Sequence, residues 1–465
     1  VFVNALLLDG DENIYIAGDF EGTVDFDPGV NVVQAISLGA HDSYVAKYSP
    51  TGELIWAKFF GAFQQQGITG MDMDNEGNLI FTGNFQYTVD FDANDGVAEL
   101  TPLVNESSED VFVAKWTSNG EFVWVKQLGG MGSQSSFSMA LDTQDNILIT
   151  GNFTDVMDCD PDAGEFLLTP IGTNFTAFIV KLSSNAEFLW AKQIGDGSQD
   201  IGMIVKTDDY LNIYYAGHFD GTVDFDGGLN GGELTAYGSR DVFICKLAFD
   251  GSFLWVSRFG GAETEHPVDM DIDTDGNVYV TGFFQATCDF DPSDAVQNLS
   301  VYGQYDGFIS VLNTGGVYQW AARLGNNFYD SGISITVTDD YIYELGVFAY
   351  GCYLDPENPN MISVEGSEDS HGYIAKYTHP ALGSNIEDNR VILPEIFPNP
   401  AHEWIILKGL SSSVDINVTD INGKTVLRMK AMGNTPLDVH SLSDGVYMLH
   451  FTLDGIAIAK RFIKH

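Results

Sequence analysis

Apolar and polar residues alternate along most of this chain with the period of two that marks half-buried β-strands. The alternation is plain in NIYIAG at 13–18 and in DVFVAK at 110–115, both rich in β-branched and aromatic residues. Short turn segments such as DNEGN (74–78) and DTDGN (273–277) separate the strands. Their Asp, Asn and Gly supply the backbone angles of tight hairpins.

The pattern recurs in register. The motif N-[I/L/V]-x-[I/F/V]-x-G-x-F appears as NIYIAGDF, NLIFTGNF, NILITGNF, NIYYAGHF and NVYVTGFF, with YIYELGVF as a degenerate sixth copy. Its glycines fall at 18, 83, 151, 217, 282 and 346, spaced 65, 68, 66, 65 and 64 residues apart. Five units end in a strand carrying Trp56, Trp124, Trp190, Trp255 or Trp320, while the sixth runs into loop at THPALGSNIEDN. Each unit reads as four core strands, with an added excursion between the second and third. One such unit cannot bury both of its faces, so neighbours must stack on it. The expected fold class is all-β: a six-bladed β-propeller over 1–379, or seven-bladed if the N-terminus is truncated. The fixed Trp and Phe positions are expected to pack between blades. A linear solenoid is the structural alternative.

After His379 the repeat stops. Residues 380–393 read as a linker, and 394–465 as a small Ig-like β-sandwich of short alternating strands. Charge divides the chain at the same place. Lys+Arg number 20 and Asp+Glu 66, a net charge of -46, yet residues 391–465 hold seven of each. The acidity therefore belongs to the repeats. It excludes nucleic-acid binding and docking on anionic lipid, which both need a basic footprint. No apolar run reaches the length of a membrane span, and the start at Val1 reads as processed or truncated. Cys159, Cys245, Cys288 and Cys352 make no disulfide framework and no CxxC pair.

Two resemblances attach to these residues. The units, in DGNVYVTG (275–282), DVFVAK (110–115) and FVWVKQLGG (122–130), resemble bacterial β-propeller repeats of the SBBP type. That resemblance implies a surface or secreted protein and no particular ligand. The C-terminal segment is similar to the type A C-terminal sorting domain of the type IX secretion system of Bacteroidetes-type bacteria. The matching residues are Phe397-Pro398-Asn399-Pro400, Val418 to Lys424 with Gly423, Leu442 to Tyr447 with Gly445, and the basic end Lys460 to Lys464. It implies the secretion machinery as a partner, export to the cell exterior, and release or attachment at the outer surface.

Candidate chemistry is sparse. Seven and nine residues after the repeated Gly lie the pairs Asp25/Asp27, Asp90/Asp92, Asp158/Asp160, Asp224/Asp226 and Asp289/Asp291. Each pair sits on one face of a strand. Two readings stand: calcium, which takes six to eight oxygen ligands, or turn-capping carboxylates. Asp271, Asp273 and Asp275 before Gly276 resemble the start of a calcium loop, but Gly282 stands where its bidentate Glu would be. Glu263, Glu265 and His266 depart from the repeat and are the candidates for catalysis in a propeller channel. The expected function is a non-catalytic binding or adhesion protein with a glycan or protein ligand. The alternatives are an extracellular polysaccharide hydrolase or lyase, and a structural surface-layer or filament component.

Overall fold

The computed structural model describes residues 1–378 apart from loop segments at 64–65, 106–107, 171, 173, 196–198, 229–230, 327, 339, 350, 354–362 and 366–370. It then describes 395–397, 401, 404–408, 413–420, 423–432, 436–453 and 456–464. The 380–393 linker and Pro398, Asn399 and Pro400 lie outside the described residues.

Among the described residues, strands make up every regular element. The core strands of each repeat pair into an antiparallel sheet, here called a blade. The first blade pairs Phe2–Leu8, Ile14–Phe20, Asp42–Tyr48 and Leu54–Phe60 in that order. Blades 2 to 5 repeat this four-strand order, and blade 6 shows Ser331–Val337, Tyr341–Phe348 and His371–Thr378. Its fourth strand is missing among the described residues, as the lack of a sixth Trp strand predicts.

The repeated Gly has a steric cause. The first strand of each of these blades bulges opposite it, between Val3 and Ala5 in blade 1 and between Ile68 and Gly70 in blade 2. A Cβ on Gly18 would lie 2.1 Å from the Phe2 carbonyl oxygen, and one on Gly83 2.0 Å from that of Gly67. Only Gly admits that approach.

The core is a chain of inter-blade layers. Tyr15, Ala17 and Val45 of blade 1 pack on Ile68, Met71, Phe81 and Trp116 of blade 2, and the arrangement recurs down the array. The tryptophans serve these layers as expected. Trp56 donates its indole N–H to the Ser118 carbonyl of the next blade at 3.2 Å, Trp190 to Phe249 at 3.3 Å, and Trp255 to Thr314 at 3.0 Å. In repeats 3 and 5 the excursion also clasps the preceding blade. Met157 and Asp158 pair with Gly130 and Gly129 at the edge of blade 2, and Cys288 and Asp289 pair with Gly261 and Gly260 at the edge of blade 4.

The C-terminal segment has its own core around Ile405, Val418, Leu449 and Phe462. Two sheets enclose it. One pairs Glu395–Phe397, Trp404–Lys408 and Leu437–Asp438; the other has four strands, with Ser413–Asp420 beside Gly445–Leu453. This is a β-sandwich.

Candidate functional site

The predicted cation ligands sit in turns. Asp25 Oδ1 accepts from the backbone N–H groups of Asp27 at 3.1 Å and Val33 at 2.9 Å, closing the excursion hairpin. Asp90 does the same with Asp92 and Ala98, and Asp224 with Asp226 and Gly227. The second members, Asp27, Asp92 and Asp226, each cap the following turn through the N–H of Gly29, Asn94 or Gly228. Asp271 reaches across to blade 6, accepting from Val337 N at 2.8 Å and Thr336 Oγ1 at 3.1 Å. Asp273 caps its hairpin through Asp275 N and Asn277 N, and Asp275 is exposed. Among the described residues, no three His, Cys, Asp or Glu side chains gather as a metal site would require.

The lysine of the D-x-F-V-A-K strand finds the hairpin aspartate of its own blade. Lys115 meets Asp74 at 2.7 Å and Lys181 meets Asp142 at 2.8 Å, all largely buried. Sequence reading passed over this pair, although both residues recur in register.

A second buried row lies at the other end of the strands, at each blade junction. The third strand contributes Asp42, Asp110, Thr176, Asp241 and Asp306, and the start of the next blade's first strand, or the residue just before it, contributes Gln66, Gln134, Asp200, Glu265 and Asp330. In the last two junctions both members are acids. Asp241 and Glu265 are fully buried, as is Asp306, with Asp330 nearly so, and one oxygen of each has no hydrogen-bond partner. Burial pushes Asp241 up to about 6, Glu265 to about 8, Asp306 to about 7 and Asp330 to about 6. Arg258 and Arg323, at 3.7 Å from Asp241 and 3.6 Å from Asp306, oppose that shift without cancelling it. Burial likewise pushes the Cys245 thiol to about 12, and Cys159, Cys245 and Cys288 are free and buried.

The catalytic candidates do not converge. Glu265 belongs to the junction row and accepts from Gly261 N at 3.0 Å. Glu263 is exposed. His266 stacks on Phe283 at 5.0 Å and lies 5.0 Å from the buried His218 ring. Burial lowers His218 to about 3 and His266 to about 4, so both rings are neutral at neutral pH. From Phe283 the ring contacts continue to Tyr305 at 4.8 Å and from there to Tyr329 at 4.7 Å.

In the sandwich, Gly423 has φ +71° at a hairpin held by its N–H on the Asp420 carbonyl. Gly445 opens the strand that carries Tyr447, whose hydroxyl donates to the Ser443 carbonyl at 2.9 Å and whose ring stacks on Phe462. Gly423, Gly445 and Tyr447 therefore serve the fold of the sandwich.

Residues 395–465 match the secretion system C-terminal sorting domain family. With that tail, the molecule is an all-β protein handled by type IX secretion machinery, and it is secreted or attached at the outer surface. No helix is long and apolar enough to cross a membrane among the described residues. An uncharacterized WD repeat-containing protein of Acanthamoeba polyphaga mimivirus is 25% identical over 268 residues, 51% of this chain. The match spans only 19% of that relative. Similar solved structures include PorZ, a surface component of the type IX secretion system of Porphyromonas gingivalis, at 9% identity and TM-score 0.21, covering 100% of this chain and 98% of that one. A Bacteroides caccae protein of unknown function has 9% identity and TM-score 0.26, covering 60% and 89%. The extracellular domain of a hybrid two-component system from B. thetaiotaomicron has 11% identity and TM-score 0.18, covering 100% and 80%.

Proposed function

We propose that this chain is a non-catalytic binding or adhesion protein built on SBBP-type blades and displayed or released outside the cell. One observation carries the reading. The shifted carboxyls of the junction row recur at matching blade positions and are buried there, and Glu344, outside the row and also raised to about 8 by burial, is fully buried where it accepts from Thr281 and Tyr373, so these groups serve assembly; a catalytic pair needs reach to a substrate. Glu263, Glu265 and His266, the residues a polysaccharide hydrolase or lyase would draw on, present no two groups to one open site. Secreted full-length protein should retain soluble or surface-bound ligands without altering polysaccharide chain length. Shortened or unsaturated products in a reducing-end and absorbance assay would replace this reading with the enzymatic one. For export, a chain lacking residues 394–465 should accumulate in the cell envelope; its normal appearance outside would detach the tail from sorting.

A further inference from the structure

The repeat supplies its own internal control for finding a ligand site. Four positions at the junction end of blades 2 to 5 are equivalent by strand register: one on the first strand, one after the repeated Gly, one before the third-strand polar residue, and one before the next blade's junction residue. In blade 2 they read Gly67, Asn84, Glu109 and Ser133. In blade 3 they read Ser135, Asn152, Phe175 and Gln199, and in blade 4 Ile201, His218, Arg240 and Thr264. In blade 5 they read His266, Phe283, Tyr305 and Tyr329. Only in this last set are all four rings.

These rings touch in sequence, at the 4.7 to 5.0 Å centroid spacings given above. They come from four separate strands or loops, and Tyr305 and Tyr329 are bridged through their backbones. The line is not core. Tyr329 is 45% exposed and its neighbour Phe328 38%, while His266, Phe283 and Tyr305 are half-buried. Arg240, whose guanidinium also donates to Gln199, lies near His266, and exposed Gln304 and Glu263 sit, respectively, next to Tyr305 and three residues before His266 in the chain, so polar groups flank the line. Fixed rings lose little conformational freedom on binding, and Tyr305 and Tyr329 carry polar tips, which suits them to recognition.

We infer that this ring line is a binding platform for a neutral glycan, with sugar C–H faces stacked on Phe283, Tyr305 and Tyr329 and hydroxyls bonded by the polar edge. The inference rests on the binding reading above. Charge selects the ligand class. The net charge of -46 repels anionic polysaccharides. A cationic ligand gains most where rings surround it; these form an open line, and the Arg240 guanidinium, close enough to His266 to disfavour its charged form, opposes a cation at that end.

The test uses the secreted full-length chain against neutral oligosaccharides of several linkages, with choline and a sulfated polysaccharide as charged probes, read by calorimetry. Neutral glycan binding is expected. The double variant Phe328→Ala/Tyr329→Ala should weaken it about tenfold or more with an unchanged melting temperature. Phe63→Ala, an exposed ring at another junction, should leave it unchanged. Neutral binding that survives the double variant overturns the platform and leaves the binding reading standing. Preference for choline or the sulfated probe overturns the ligand class. Failure to bind any probe overturns the platform, and the absence of protein or surface capture as well removes the binding reading.

Discussion

Lys181 and Asp142 face each other in a setting where neither side chain reaches water. Breaking such a pair strands a buried charge, which costs about 3–5 kcal/mol. Lys181→Met should therefore lower stability by about that amount in denaturant titration. Lys126→Met, which breaks a more exposed pair with Asp162, should cost about 0.5 kcal/mol or less. Equal effects would show that the buried pair carries no special load. The junction acids give a pH signature of known sign. Asp241, Glu265, Asp306 and Asp330 hold their protons more tightly folded than unfolded. Their contribution is complete below about pH 4, the unfolded carboxyl range, and is lost as pH rises through about 6 to 8. Melting temperature should fall across that window, and Glu265→Gln with Asp330→Asn should flatten the fall. An unchanged slope in the double variant would assign it elsewhere. None of this was legible in the sequence. Asp241 and Glu265 are ordinary acids until two blades bring them together.

At the scale of the element, the D-x-D excursion was legible as a repeat, and the structure gives it a mechanical role. Each first Asp closes a hairpin by accepting two backbone N–H groups, a task an Asn side-chain oxygen can also perform. A calcium site would need the carboxylate charge. Asp90→Asn should then keep stability within about 0.5 kcal/mol, while Asp90→Ala should lose about 1–2 kcal/mol with both hydrogen bonds. Loss in both variants, together with a melting temperature raised by calcium in chelator-stripped protein, would favour the cation. The four-strand count and the Trp strand were readable because local alternation and turn chemistry dictate them. The clasp was not. It joins Gly129 to Asp158 through backbone groups, and two glycines at a strand end do not announce what approaches them. A Cβ on Gly130 would meet the Val156 carbonyl oxygen at 2.1 Å. The ring platform was hidden for the same reason: Phe283, Tyr305 and Tyr329 each look like an ordinary strand or loop aromatic until the register aligns them.

For the whole molecule, the stacking rule that builds the interior leaves two faces at the ends of the array. Ile68 and Met71 of blade 2 are buried against blade 1, but their counterparts Val3 and Leu6 in blade 1 stand 55% and 60% exposed. At the far end, Val45 of blade 1 is buried against blade 2, whereas its counterpart Ile374 in blade 6 is 79% exposed. Leu8 and Leu345 extend the two patches. Contiguous apolar faces are uncommon on soluble monomers and mark surfaces that pack on something, and a propeller covers them by ring closure. Both faces should therefore be covered in the exported particle, by each other or by a further blade between them. The expectation separates from the alternative by placing a charge on each face in turn. If the faces are covered, Leu6→Asp and Ile374→Asp each bury an unpaired carboxyl and cost about 2 kcal/mol or more. If they stand in water, each substitution is close to neutral, and the array is an open arc that depends on its layers alone. Hydrogen exchange at Phe2–Leu8 and His371–Thr378 gives an independent reading: protection matching that of the central blades requires closure, and fast exchange at both ends excludes it.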